Sequence, residues 1–143
     1  MSSIFPSIQP VEAVEAAAAE LPLCREVAWD YSLDIPIFRR GEPVIVSGAE
    51  AVKVWVWKAL HTPRYRYEIY SWAYGSEFEG LIGQAYTSAL KEAEAPRYLQ
   101  DCLLINPYIL AVKNIAVDFA DARLSVSGTV ETIYGEVQIN GVI

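Results

Sequence analysis

NIAVDFADARLSVSGTVETIYGEVQINGVI, residues 114–143, is where the chain changes period and where its fold class is decided. Ile115, Val117 and Phe119 alternate with Asn114, Ala116 and Asp118. Leu124, Val126, Gly128 and Val130 then alternate with Arg123, Ser125, Ser127, Thr129 and Glu131. Successive side chains of a strand point to opposite faces, so this two-residue period predicts strands packed on one face and open on the other. FADARL supplies a hairpin turn between them, and IYGEVQINGVI a last strand through Val137 and Ile139. That strand has an outer edge that another chain can pair with, and Glu136 blunts it only in part.

Upstream the period is helical. In SGAEAVKVWVWKALHTP, residues 47–63, Val52, Trp55, Val56, Ala59 and Leu60 share one face, while Val54, Trp57 and His61 extend along another. Ser47 and Glu50 have the spacing of a capping box, and Pro63 limits the other end. A helix apolar on two sides is either sandwiched within the domain or packed on another protein. SEFEGLIG reads as one or two helical turns with Phe78, Leu81 and Ile82 inward. In the next helical stretch Tyr86, Ala89, Leu90 and Ala93 form a stripe. Pro96 predicts a break there, with a second short helix beginning near it and burying Leu99, Cys102 and Leu103. Helices in the middle and strands at the ends make the class α+β, with central helices packed on a small antiparallel or mixed β-sheet.

The first third is extended. In VAWDYSLDIPIF, residues 27–38, Trp29, Tyr31, Leu33, Ile35 and Ile37 keep two-residue spacing, which predicts one strand, at an edge or interrupted by Pro36. RRGEP reads as a turn and VIV as a short second strand. Residues 1–25 differ from the rest, with two prolines in MSSIFPSIQP and an Ala/Glu-rich run after it. They are read as a flexible N-terminal arm, with Ile4, Phe5 and Ile8 as possible anchors, preceding a single α+β domain over residues 26–143.

Composition narrows the functions. The 143 residues are 53% hydrophobic and 20% charged, which is globular, and carry a formal net charge of -7, which disfavours a phosphate-backbone binder. No secretory leader is visible, and no apolar run reaches membrane-spanning length. Cys24 and Cys102 are expected to be free thiols of a protein folded in cytoplasm. His61 is the only histidine and has no metal-ligand spacing around it; it is expected to close its helix with a polar contact. Neither a metal nor a cofactor nor a catalytic group is predicted. Glu77 with Glu79, or Glu92 with Glu94, would act as an acid–base pair only inside a cleft, so solvated helix surface is the simpler reading.

KALHTPRYRYEIYSWAYG, residues 58–75, is the densest aromatic stretch. Within it PRYRYEIYSW, residues 63–72, reads as an extended segment with Tyr65, Tyr67 and Ile69 on one side and Arg64, Arg66, Glu68 and Tyr70 on the other. Arginines among tyrosines can stack on single-stranded bases, but the same composition marks protein–protein hot spots. The acidic balance favours the second.

Taken together, WVWKALHTPRYRYEIYSWAYGSEFEGLIG, EAPRYLQDCLLINPYI and ETIYGEV resemble the XkdS-like baseplate wedge family of contractile phage tails and phage-derived bacteriocins. That family is related to the small baseplate wedge protein, or sheath initiator, and the resemblance covers roughly residues 26–140. It implies a fold like the interlocking domain of the tail sheath subunit. It also implies a non-enzymatic role: joining the core bundle of the larger wedge proteins to the first ring of sheath subunits and starting sheath assembly. The implied neighbours are those wedge proteins, the sheath ring, and tube or hub proteins, in multiple copies around the tail axis, with neither nucleic acid nor membrane as partner. The implied location is the tail baseplate of a virion or tail-like particle assembled in the host bacterial cytoplasm. The family's Glu-Pro-Arg signature has Glu94 and Arg97 as its counterparts, although Ala95 is inserted, and an intramolecular salt bridge explains that pair as well. The predicted interface residues are Trp57, Arg64, Tyr65, Arg66, Trp72, Tyr74, Glu94, Arg97, Val137 and Ile139. Two competing functions are a cell-wall lytic subunit of the same machine and a single-stranded nucleic-acid binder acting through Arg64–Tyr74.

Overall fold

The computed structural model describes residues 21–83 and 87–143. The expectations for Ile4, Phe5, Ile8 and Tyr86 lie outside these residues.

The C-terminal third forms the sheet its alternation predicts. Strands β7 (Ile109–Ala120), β8 (Arg123–Thr132) and β9 (Gly135–Val142) are antiparallel in the order β7-β8-β9. Asp121 and Ala122 both take positive φ (51° and 59°), the paired left-handed geometry of a two-residue hairpin turn. One break was not apparent from the sequence. The β7–β8 register shifts between Lys113 and Ala116, where Asn114 has φ 52°. This bulge lets Val112 face inward before it and Ile115, Val117 and Phe119 after it.

The helices α1 (Ala49–His61), α2 (Phe78–Gly83) and α3 (Ser88–Leu103) bring their apolar faces into one core with the sheet. Val52, Val56, Ala59 and Leu60 of α1, Phe78 and Leu81 of α2, and Ala95, Leu99, Cys102 and Leu103 of α3 meet Leu124, Val126, Val130 and Ile139. The second apolar face of α1 is sandwiched within the chain: Val54 is fully buried, and the helix also packs against the segment before it. The capping box does not form. Ser47 ends a strand, Gly48 is the N-cap, and no side chain caps the helix.

Helix α3 runs continuously through Pro96. Thr87 caps it by accepting from the Leu90 N–H, and its inner stripe is Lys91, Ala95, Leu99, Cys102 and Leu103. Leu90 and Ala93 are exposed, so the stripe expected from the sequence lies on the wrong face. A break at Pro96 would turn Lys91 or Leu99 out of register, and both are buried. The Lys91 ammonium donates to the Ile82 carbonyl (2.9 Å) and lies 4.4 Å from the centre of the Phe119 ring. Packing on both halves thus outweighs the missing helical N–H. An interior proline costs a helix ~3 kcal/mol, less what it saves by stiffening the unfolded chain. Pro96→Ala is therefore expected to stabilise the domain by about 2 kcal/mol, read as a higher urea midpoint at unchanged slope.

The first third is a set of short antiparallel ladders rather than one strand. β1 (Arg25–Val27) pairs with β6 (Ile45–Ser47), β2 (Trp29–Asp30) with β3 (Ile35–Pro36), and β4 (Phe38–Arg39) with β5 (Glu42–Pro43). The expected row from Trp29 to Ile37 is broken because the Asp30 carboxylate accepts from the Ser32 and Leu33 N–H groups and folds the chain back. Leu33 and Ile35 are consequently exposed. RRGEP is the predicted turn, with positive φ at Arg40 and Gly41 (52° and 80°). The segment is tied down before the predicted boundary at residue 26. Tyr108 donates to the Pro22 carbonyl, the Cys24 N–H donates to the Tyr134 hydroxyl, and Arg25 begins β1.

Candidate protein interface

Residues 62–77 form a folded loop whose base is stapled, in place of the extended segment expected over residues 63–72. The Ser76 N–H donates to the Thr62 carbonyl, the Arg64 N–H to the Ser76 carbonyl, and the buried Ser76 hydroxyl to the Leu60 carbonyl. Gly75 permits this closure: its φ is 105°, and a Cβ there would sit 2.7 Å from the Thr62 carbonyl oxygen. Gly75→Ala is expected to cost about 2–3 kcal/mol through that clash and the strained φ. Gly80→Ala, where a Cβ meets open space on α2, is expected to be neutral or slightly stabilising. Thermal melts of the two variants check the contrast.

Above this base the rings lean on one another. Trp72 packs with Tyr65 (centroids 5.4 Å apart), Tyr67 with Tyr70, Tyr70 with Tyr74 (4.7 Å), and Tyr74 with Trp55 at the core margin. Trp72 remains 79% exposed and Ile69 86%, more than a small domain leaves open without use. Arg64 and Arg66, predicted to reach a partner's carboxylates, are engaged within the chain. Arg64 donates to the Trp72 carbonyl (3.0 Å) and faces Glu77 (3.4 Å), while Arg66 makes a short pair with Glu79 (2.6 Å). Their role in the loop is internal bracing. Glu77 and Glu79 are thereby paired with arginines rather than with each other. Glu94 and Arg97 likewise bond to one another at 2.9 Å on α3.

Trp57 is half-buried. Its indole N–H donates to Asp34 (2.7 Å), its ring stacks on His61 (4.2 Å), and Tyr31 meets it edge-on. Asp34 also accepts from Trp29, and these two bonds hold its carboxyl below the usual carboxylate range. The nearby His61 makes the expected helix-closing contact, with Nδ1 2.8 Å from the Trp57 carbonyl. Burial pushes the Cys102 thiol up to about 12, which leaves it an inert core group. Among the described residues, no cluster of His, Cys, Asp or Glu side chains is placed to hold a metal ion.

The second surface is the outer edge of β9. Val137 and Ile139, predicted at an interface, turn their side chains into the core. What the strand can offer is its main chain. Leu124 and Ile143 exchange both backbone hydrogen bonds across the sheet. Inward- and outward-directed pairs alternate along an antiparallel ladder, so Glu136, Gln138, Asn140 and Val142 aim their N–H and C=O groups away from β8. Among the described residues β9 pairs only with β8, and β1 pairs with β6. Beside the edge lies a cavity of about 200 Å³ between α1 and β9. Its walls from Tyr31 and Lys53 were not foreseen, since nothing in either residue's sequence neighbourhood signals β9.

A sheet with one face covered by helices and a bare outer strand suits an assembly subunit. The family model for contractile injection system sheath initiators matches residues 25–135, most of the chain and the sheet as far as the first residue of β9. The chain belongs to that sheath initiator family. It is also 34% identical over 121 residues to the phage-like element PBSX protein XkdS of Bacillus subtilis (strain 168), covering 82% of this chain and 84% of that protein. The family assigns a structural role connected with the tail sheath, and the α+β fold agrees with the sequence reading. No helix among the described residues is long and apolar enough to cross a membrane.

Proposed function

We propose that this sheath initiator is a non-enzymatic baseplate wedge subunit that joins the core bundle of the larger wedge proteins to the first sheath ring and starts sheath polymerisation. It would do so in several copies around the tail axis, in particles assembled in the host bacterial cytoplasm. The observation that carries the reading is the unpaired outer edge of β9, backed by a rigid core. An extended arm of a sheath subunit adds there as a further strand, with main-chain hydrogen bonds supplying affinity. The aromatic loop around Tyr65, Trp72 and Tyr74 supplies the second contact, to a wedge protein, because large exposed rings are the usual interface anchors. Glu94, half-buried, and Arg97, exposed, are mutually paired and are rim residues in this scheme.

Proline substitution at the edge tests this. Gln138 and Asn140 direct their N–H groups outward, so proline there removes donors that β8 does not use. The Gln138→Pro/Asn140→Pro variant is expected to melt within a few degrees of the parent. Particles carrying it should show complete baseplates without extended sheath by electron microscopy. Sheaths of normal length on such baseplates would refute the proposal.

A further inference from the structure

We infer that the cavity beside β9 is a socket for one side chain of the incoming strand, and that it sets both the register and the chemistry of that strand. The inference rests on the reading of β9 as the acceptor edge. Three successive residues, Gln138, Ile139 and Asn140, line the cavity. Neighbours on a strand face opposite ways, so all three line one space only when it is approached from the strand's lateral edge. A chain hydrogen-bonded to Gln138 and Asn140 places one residue directly opposite Ile139. Cross-strand partners project to the same face, so that side chain points with Ile139 toward α1 and enters the cavity.

The chemistry of the walls specifies the occupant. Val56, Trp57, Leu60 and Ile139 make the interior apolar, and its volume is about 200 Å³. An apolar cavity of about 150 Å³ is enough to take up benzene. A leucine or phenylalanine side chain therefore fills the socket, whereas alanine leaves most of it empty. Lys53 stands at the rim. Its ammonium lies over the Tyr31 ring at 5.2 Å and has no salt bridge to a carboxylate among the described residues. Helix α1 runs in the same direction as β9: Gly48 lies against Tyr134 and His61 against Gly141. Lys53 consequently lies toward the Val137 end. The occupant is an extended segment with a large apolar residue opposite Ile139 and a carboxylate two positions away, opposite Val137.

The test uses blocked nine-residue threonine peptides with aspartates two places either side of a central Leu, Phe, Ala or Lys. Binding to the full chain is followed by amide hydrogen exchange at Gln138 and Asn140 with up to millimolar peptide. The Leu and Phe peptides should slow exchange at both amides, and Ala or Lys at the centre should weaken binding at least tenfold. Lys53→Glu should reverse the preference between aspartate- and lysine-flanked peptides; Lys53 forms no salt bridge among the described residues, so this variant is expected to fold. Equal binding of all central residues, with both amides protected, overturns the socket and leaves the acceptor edge standing. No protection by any peptide overturns both. Slow exchange that depends on protein concentration without peptide assigns the edge to a second copy of the chain, which also overturns the inference.

Discussion

A chain lacking residues 136–143 is expected to show no cooperative thermal transition and to expose its core to hydrophobic dyes. The removed strand does more than present an edge. Val137 and Ile139 are buried, and burying an aliphatic side chain of this size is worth about 1.5–3 kcal/mol. Strand β9 is also the part of the sheet that covers α1, so its loss bares Val56 and Leu60 and strips β8 of its ladder from Ser125 to Glu131. Together these losses match the whole stability of an ordinary domain, about 5–15 kcal/mol. Particles made with this truncation should lack the subunit altogether. A truncated chain that still melts cooperatively would show that α1 and α3 hold a core without β9. For the same reason truncation cannot probe the acceptor edge, and proline at Gln138 and Asn140 can.

Phe78→Ala should cost about 3–5 kcal/mol, the range for emptying a fully buried aromatic site. Phe78 has no exposed surface, opens α2, and meets Tyr98 of α3 edge-on at 6.3 Å. It occupies the junction where the aromatic loop re-enters the core, between α1 and α3. Collapse around the vacancy is restricted because Ser76, two residues before it, is stapled to Thr62, Arg64 and Leu60. The expected fall in melting temperature is roughly 10–20 °C. Phe78→Leu, which keeps most of the volume, should recover more than half of it. A loss below about 1 kcal/mol for Phe78→Ala would mean that the loop and α2 shift to fill the space.

The arginines of the aromatic stretch show what composition leaves out. Arg64 and Arg66 sit among tyrosines as hot-spot residues do, yet both find acidic partners thirteen residues downstream, Glu77 and Glu79. A loop closed through Gly75 brings those positions together, and linear spacing does not show it. The exposed rings of Trp72 and Tyr65 were legible as surplus aromatic surface. So was the edge of β9, from its regular alternation. The cavity beside that edge was not, because Tyr31, Lys53 and Gln138 come from three separate parts of the chain.

By itself the sequence determined the elements whose signal is local and periodic. These are α1 with its two apolar faces, the β7–β8–β9 meander, the tight turn at Arg40–Gly41, and a family likeness that the match over residues 25–135 bears out. Only the tertiary structure decided the rest. It carried α3 through Pro96, because burial of Lys91 and Leu99 on either side outweighs one lost helical bond. It accommodated a local break in the row from Trp29 to Ile37, where the Asp30 side chain competes for backbone N–H groups that a continuous ladder would have used. It turned Val137 and Ile139 inward while leaving the backbone beside them bare. Periodicity records which residues share a face; what that face meets depends on contacts between residues distant in the chain.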